Sequence, residues 1–187
     1  MPLWPEFTNV SSRKISDLHQ WWHAKRGPRA MPDRADVDPI ELKALLPYLL
    51  ISECLQDPFN VRYRLVGTVV ANITGFDITG HDLASLLPPD VTEDWMGHYA
   101  RVHETKLPVF GHTTVPTIHG DPFTYEFAIF PLSKGGDAVA QFIALEDYGK
   151  VEPRLSPSMG DLTPWQDQHA RVGASKSRTK IAKDADQ

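Results

Sequence analysis

Apolar and polar residues are arranged along the chain in a pattern that predicts helices followed by an antiparallel sheet. The segment 13–26 carries apolar side chains at helical spacing and is followed by Gly27-Pro28, so it predicts an amphipathic helix that ends there. Residues 48–55 are continuously apolar, and residues 61–65 alternate apolar with basic side chains. Together they predict a hairpin whose turn lies at 57–60.

The second half of the chain predicts a long helix and three further strands. Glycines and short apolar pairs between 67 and 89 indicate short helical turns. The predicted long helix and strands then occupy residues 90–106, 109–117, 123–129 and 138–146. In the middle strand the alternation places four residues on one face, which we interpret as the lining of a ligand pocket: Phe123, Tyr125, Phe127 and Ile129.

This order predicts an α+β domain with a five-stranded antiparallel sheet, helices on one side and an amphipathic helix in front. The expected organisation is a lead at 1–12, a domain at 13–148 and a tail at 149–187. The tail is rich in proline, serine, aspartate, glutamine and lysine, and we expect it to be mostly disordered.

A second helix is predicted before the first strand. Asp38 has the position of an N-cap, Pro39 that of the first helical residue, and Glu41 that of the third residue of a capping box. The helix should end before Pro47. In the loop ahead of it, Arg34 and Asp36 are expected to form an ion pair.

The first helix is also a candidate interface. Trp21 and Trp22 lie about 100° apart around a helix, so one face cannot readily bury both. One should pack on the domain with Ile15 and Leu18, and the other should take part in self-association or partner binding, where tryptophan is common.

Two stretches, MPDRADVDPIELKALLPYLLISE and RYRLVGTVVANITGFDITGHDL, carry a family resemblance. They resemble the single-domain PAS branch frequent in alphaproteobacteria, which also has a glycine and a threonine-glycine here matched by Gly75 and Thr79-Gly80. The resemblance covers residues 13–148. It implies a sensor or adaptor in signalling that is often dimeric, in some cases with a bound small molecule.

Two cofactors can be weighed against that resemblance. Haem-binding PAS proteins use a histidine on the long helix, which makes His98 and His103 the candidate ligands. They are five residues apart and do not share a helix face. Light-oxygen-voltage domains carry a reactive cysteine among the short helices, whereas Cys54, the only cysteine, lies on the first predicted strand. We therefore expect neither haem nor flavin, and no metal.

Composition narrows the function classes. A formal charge of −5 argues against nucleic-acid binding, and no window of about 18 apolar residues indicates a membrane span. With a single cysteine and no signal-peptide pattern, the expected location is the cytoplasm. The prediction is a non-enzymatic module that binds a small molecule, a second copy or a signalling protein. The alternatives are a small isomerase or dehydratase with a cone-shaped α+β fold, and a ligand-free dimerisation module.

Overall fold

The structure, a computed structural model, describes residue 3 and residues 7–75, 77–87, 89–116 and 122–149. Except for Gly149, the predicted disordered tail lies outside the described residues. In the described ranges the helices and strands follow the predicted order: α1 Arg13–Arg26, β1 Leu49–Leu55, β2 Asn60–Val66, α2 Thr68–Thr74, α3 Pro89–Thr105, β3 Val109–Pro116, β4 Pro122–Leu132 and β5 Gln141–Asp147.

The five strands form one antiparallel sheet in the order β2-β1-β5-β4-β3. β1 pairs with β2 and β3 pairs with β4, while β5 closes the sheet by pairing with both β1 and β4. The predicted α+β class and five-stranded antiparallel sheet are confirmed. β5, the last of the described strands in sequence, is therefore the central strand, with neighbours on both edges.

Helices cover both faces of this sheet. Phe127 and Phe130 are three residues apart on β4 and point to opposite faces. Trp95 of α3 packs on Phe127, with 4.7 Å between ring centroids, and Trp22 of α1 packs near Phe130 at 6.0 Å. The helices predicted on one side of the sheet are α2 and α3, and the amphipathic helix predicted in front of them, α1, lies on the opposite face.

α1 is fixed at its N-terminus and along its apolar stripe. The Ser12 hydroxyl accepts a hydrogen bond from Ile15 N at 3.1 Å, which caps the helix. Ile15, Leu18 and Trp22 are buried, and Trp22 Nε1 donates to the carbonyl of Pro131 at 2.9 Å. The apolar spacing of the sequence thus placed this helix against the sheet.

The second predicted helix does not form. Residues 39–45 make consecutive turns, and Leu46–Tyr48 is a 3₁₀ helix. Only about two turns of chain separate Pro39 from Pro47, and so short a helix is marginal. Asp38 Oδ1 accepts from Ile40 N at 2.8 Å, but Glu41 does not complete a capping box. Its carboxylate instead accepts from Trp21 Nε1 and Lys25 Nζ of α1.

The predicted Arg34–Asp36 ion pair is also wrong. Asp36 pairs with Arg29, whose Nη2 lies 2.8 Å from Oδ2. The same carboxylate accepts from Asp33 N, and Asp33 Oδ1 accepts from Ala35 N, so the capping box belongs to the short 3₁₀ helix Arg34–Asp36. Arg34 is held through its backbone, since its N–H donates to Ser133 O.

Gly67 joins β2 to α2 at a point where two backbone segments almost touch. A Cβ there would lie 2.3 Å from the Pro47 carbonyl oxygen and 2.5 Å from that of Leu46. Its N–H donates to Leu49 O at 2.7 Å, and its carbonyl accepts from Ala71 N. A residue without a side chain is required for α2 to start here.

We expect Gly67→Ala to lower the free energy of unfolding by about 1–3 kcal/mol, because the added methyl group must displace backbone. Gly97→Ala is the matched control: Gly97 is on α3 with nothing within 4 Å of its Cβ position. That substitution should stabilise by about 0.5–1 kcal/mol through the helix propensity of alanine. Urea unfolding measures both, and equal effects of the two substitutions would contradict the close approach.

Candidate functional site

A cavity of about 80 Å³ lies between the sheet face that carries Tyr125 and the segment from α2 to α3. A buried water needs on the order of 10–15 Å³ of such space, so the cavity can hold several waters or one small organic molecule. Most of the lining is apolar or aromatic. The lining residues are Leu50, Tyr63, Val70, Ile73, Thr74, Ile78, Leu86, Leu87, Trp95, Tyr99, Tyr125, Glu146 and Tyr148.

A carboxylate and four tyrosines form most of the polar part of the lining. Glu146 lies opposite Phe127 in the β4–β5 ladder, so it shares the inner face of the sheet. The Tyr148 hydroxyl donates a hydrogen bond to Glu146 Oε2. The rings of Tyr148 and Tyr125 are 4.7 Å apart between centroids. Tyrosines from β2, α3 and β4 and from the residue after β5 thus meet around one acidic group.

Burial sets the electrostatics of this cluster. It raises the pKa of Glu146 to about 7, although the hydrogen bond from Tyr148 acts in the opposite direction. It also raises the pKa of Tyr63, Tyr125 and Tyr148 well above the usual value. The described lining contains no lysine, arginine or histidine that would offset the glutamate charge. Near neutral pH, Glu146 therefore exists in both protonation states.

A comparison with models of protein families shows which family the chain belongs to. The family model described as PAS domain matches residues 10–145, which spans most of the chain and nearly all of the described sheet. The chain belongs to the PAS domain family. It is a sensory or regulatory PAS module, and the predicted resemblance to the PAS family is confirmed. The cone-shaped fold of the alternative reading does not apply.

Solved structures of similar fold are distant. A light-oxygen-voltage domain studied with a flavin analogue is 13% identical, with 74% of this chain and 92% of that chain covered and a TM-score of 0.43. The Rhodobacter sphaeroides LOV protein is 12% identical, with 76% and 70% covered and a TM-score of 0.43. The VqmA dimer of Vibrio cholerae, a LuxR-type receptor, is 18% identical, with 58% and 48% covered and a TM-score of 0.45. A comparison with the curated proteins gives no match.

The predicted pocket face of the PAS domain contributes one of its four residues to the cavity. Tyr125 lines it, whereas Phe127 packs between Trp95 and His98, and Ile129 is buried in the core. Phe123 stacks on Tyr148, with 6.3 Å between centroids. The alternation correctly predicted which face of β4 points inward, but of these four residues only Tyr125 borders the cavity.

Sequence reasoning missed the acidic group. It took the pocket lining from β4 alone, whereas Glu146 of β5 lines the same cavity. The signal was present in the last strand, where Ala144, Glu146 and Tyr148 follow the period of two that marks one sheet face. The same rule applied to both strands would have placed Glu146 beside Tyr125.

The two candidate haem ligands lie outside the cavity lining. His98 is buried between Trp95 and Phe127, and burial lowers its pKa. His103 Nδ1 lies 3.5 Å from the Cys54 Sγ, beside Phe59. The described cavity therefore offers neither an axial histidine for haem nor a cysteine for a flavin adduct. Among the described residues no group of three or more histidines, cysteines and carboxylates could hold a metal.

The candidate interface residues are divided as the helical spacing indicated. Ile15, Leu18 and Trp22 face the sheet, whereas Trp21 is partly exposed. Trp21 packs at the edge of the core and donates a hydrogen bond from Nε1 to Glu41 at 3.1 Å.

None of the described helices is long and apolar enough to cross a membrane.

Because the pKa of Glu146 is raised, we expect the stability of the fold to depend on pH. The folded chain binds the proton more tightly than the unfolded chain, so stability should fall as pH rises from about 4.5 to about 7 and stay level above. A shift from 4.5 to about 7 corresponds to a loss on the order of 3 kcal/mol. Glu146→Gln should lack this component, whereas Glu104→Gln, at an exposed position, should keep it.

Urea unfolding at several pH values measures the difference between each variant and the wild type. A carboxyl carbon NMR titration of Glu146 should show a midpoint near 7. A midpoint near 4.5, or the same pH dependence in wild type and Glu146→Gln, would show that the carboxylate is well solvated.

Proposed function

We propose that this PAS module binds a small molecule in the cavity around Glu146 and passes its occupancy to a protein partner, without chemical turnover. The observation that carries the proposal is the placement of one carboxylate and four tyrosines in an otherwise apolar lining. Ligand cavities have this character, with an apolar wall and a few polar groups that fix orientation.

The cost of the polar cluster supports this proposal over a ligand-free dimerisation module. Removing a carboxylate from water without a cation beside it is unfavourable, and hydrophobic side chains of similar volume would be more stable there. A module with a filled core gains nothing from such a group. A module that recognises a ligand gains a specific contact.

Turnover and a resident chromophore are disfavoured. A carboxylate with a pKa of about 7 has the property of a general base, but PAS domains are generally sensory rather than catalytic. Neither histidine considered for haem lies in the lining, and Cys54 is on β1 facing His103. We therefore expect the purified protein to be colourless, without a Soret or flavin band.

Native mass spectrometry of freshly purified protein tests ligand binding directly. We expect a population with one small molecule bound per chain, released on collisional activation. Val70→Phe should abolish it, because Val70 is buried in the cavity wall and the larger ring fills the space. Ile40→Phe, at a side chain that is 77% exposed, is the matched control and should keep the ligand.

If the wild type carries no molecule and no compound in a metabolite screen raises its melting temperature, the ligand proposal is overturned. A ligand-free dimerisation module would then be the better description. A bound molecule that survives Val70→Phe would locate the binding site elsewhere on the domain.

We also propose that α1 contributes to self-association through Trp21. Light scattering should show that Trp21→Ala converts a dimer into a folded monomer. Trp22→Ala should instead lose about 3–5 kcal/mol of stability, because that ring is buried against the sheet. A wild type that is monomeric at the highest soluble concentration would contradict a role for α1 in self-association.

A further inference from the structure

The described wall of the cavity carries aromatic rings and one acid but no basic side chain. Aromatic rings come from β2, β4 and α3 and from the residue after β5: Tyr63, Tyr125, Trp95, Tyr99 and Tyr148. Aromatic faces carry negative electrostatic potential and attract cations. The only charged side chain in the described lining is the acid Glu146. The aromatic rings and the acid of the wall thus favour a ligand with positive charge.

Glu146 also has no basic partner among the described residues. Its neighbour Asp147 points to the other face of the sheet and has one, since Lys14 Nζ lies 2.7 Å from Oδ1. In the described structure the Glu146 carboxylate is hydrogen-bonded to the Tyr148 hydroxyl, a neutral donor. A partly buried carboxylate in this position is stabilised by any cation that enters the cavity.

We propose that the cavity binds a small organic cation with an alkylated ammonium group, held by the aromatic rings and by Glu146 as its counter-ion. The inference rests on the proposed function and specifies its ligand class. A volume of about 80 Å³ limits the enclosed group to a few non-hydrogen atoms, the size of tetramethylammonium or of the trimethylammonium group of choline. An anionic ligand would meet like charge and no basic group in the described wall.

The same geometry gives binding a pH dependence. The titratable groups that face the cavity are Glu146 and the tyrosines of β2, α3, β4 and position 148. The pKa values of these tyrosines are raised, so only Glu146 titrates between pH 5 and 8. A permanently charged ligand should bind the ionised form. Its affinity should fall about tenfold from pH 8 to pH 6 for a group with a pKa of about 7.

Isothermal titration calorimetry with tetramethylammonium, choline and 3,3-dimethylbutan-1-ol tests the inference. The alcohol has nearly the shape of choline without its charge. We expect both cations to bind at pH 8 and the alcohol to bind at least about tenfold more weakly than choline. Glu146→Gln should weaken choline roughly ten- to a hundredfold, whereas Glu104→Gln, which removes an exposed carboxylate, should leave it unchanged.

The possible outcomes distinguish the cation inference from the proposed small-molecule binding. If the alcohol binds as tightly as choline, the cation inference is overturned and the small-molecule cavity stands. If neither cation binds the folded wild type, the inference is also overturned, and the proposed function is then judged by the mass spectrum of the purified protein. The pH measurement on the wild type needs no variant, so an unfolded Glu146→Gln protein does not rescue the inference. Affinity that is equal at pH 6 and pH 8 contradicts it.

Discussion

The period of two along the central strand is the constraint on which the rest of the structure depends. β5 ends with two adjacent carboxylates, Glu146 and Asp147, and the alternation of a strand sends them to opposite faces of the sheet. Because β5 pairs with both β1 and β4, neither side chain can change face without a register shift across the whole sheet. Glu146 therefore faces the cavity, and Asp147 faces α1.

Their surroundings shift the pKa values of the two acids in opposite directions. Burial works to raise the pKa of Asp147, but hydrogen bonds from Lys14 and Ser12 outweigh it and the pKa is lowered. The same interactions fasten the start of α1 to the sheet. Burial of Glu146, with no basic partner among the residues that the structure describes, raises its pKa to about 7. Asp147 stabilises the fold, whereas ionised Glu146 costs stability, which agrees with the proposed role of Glu146 in binding.

Much of the fold could be predicted from the sequence, because strands and amphipathic helices carry their periodicity in the chain. The alternation in β4 and the apolar spacing of α1 gave the correct buried faces. The helix expected after Asp38 failed because capping residues favour a start, whereas its persistence depends on length and on tertiary contacts. Here Glu41 is drawn to Trp21 and Lys25 of α1, a contact that no local pattern encodes.

The cavity was predicted less well than the fold. Which inner-face residues meet empty space depends on how α2 and α3 cross the sheet, and that depends on contacts such as the approach of Gly67 to Pro47. The alternation therefore identified Tyr125 together with three residues that pack elsewhere. His98 was singled out by its position on α3, but the helix turns it toward Phe127 instead of into the cavity.

The claim that the cavity around Glu146 is the binding site is tested most directly by methyl NMR of isoleucine-labelled protein with tetramethylammonium at pH 8. Ile73 and Ile78 line the cavity, whereas Ile15 is buried on the opposite side of the sheet. The account predicts saturable shifts of the Ile73 and Ile78 methyl signals, with the Ile15 signal unchanged. Unchanged Ile73 and Ile78 signals, or shifts spread equally over all three, would contradict it.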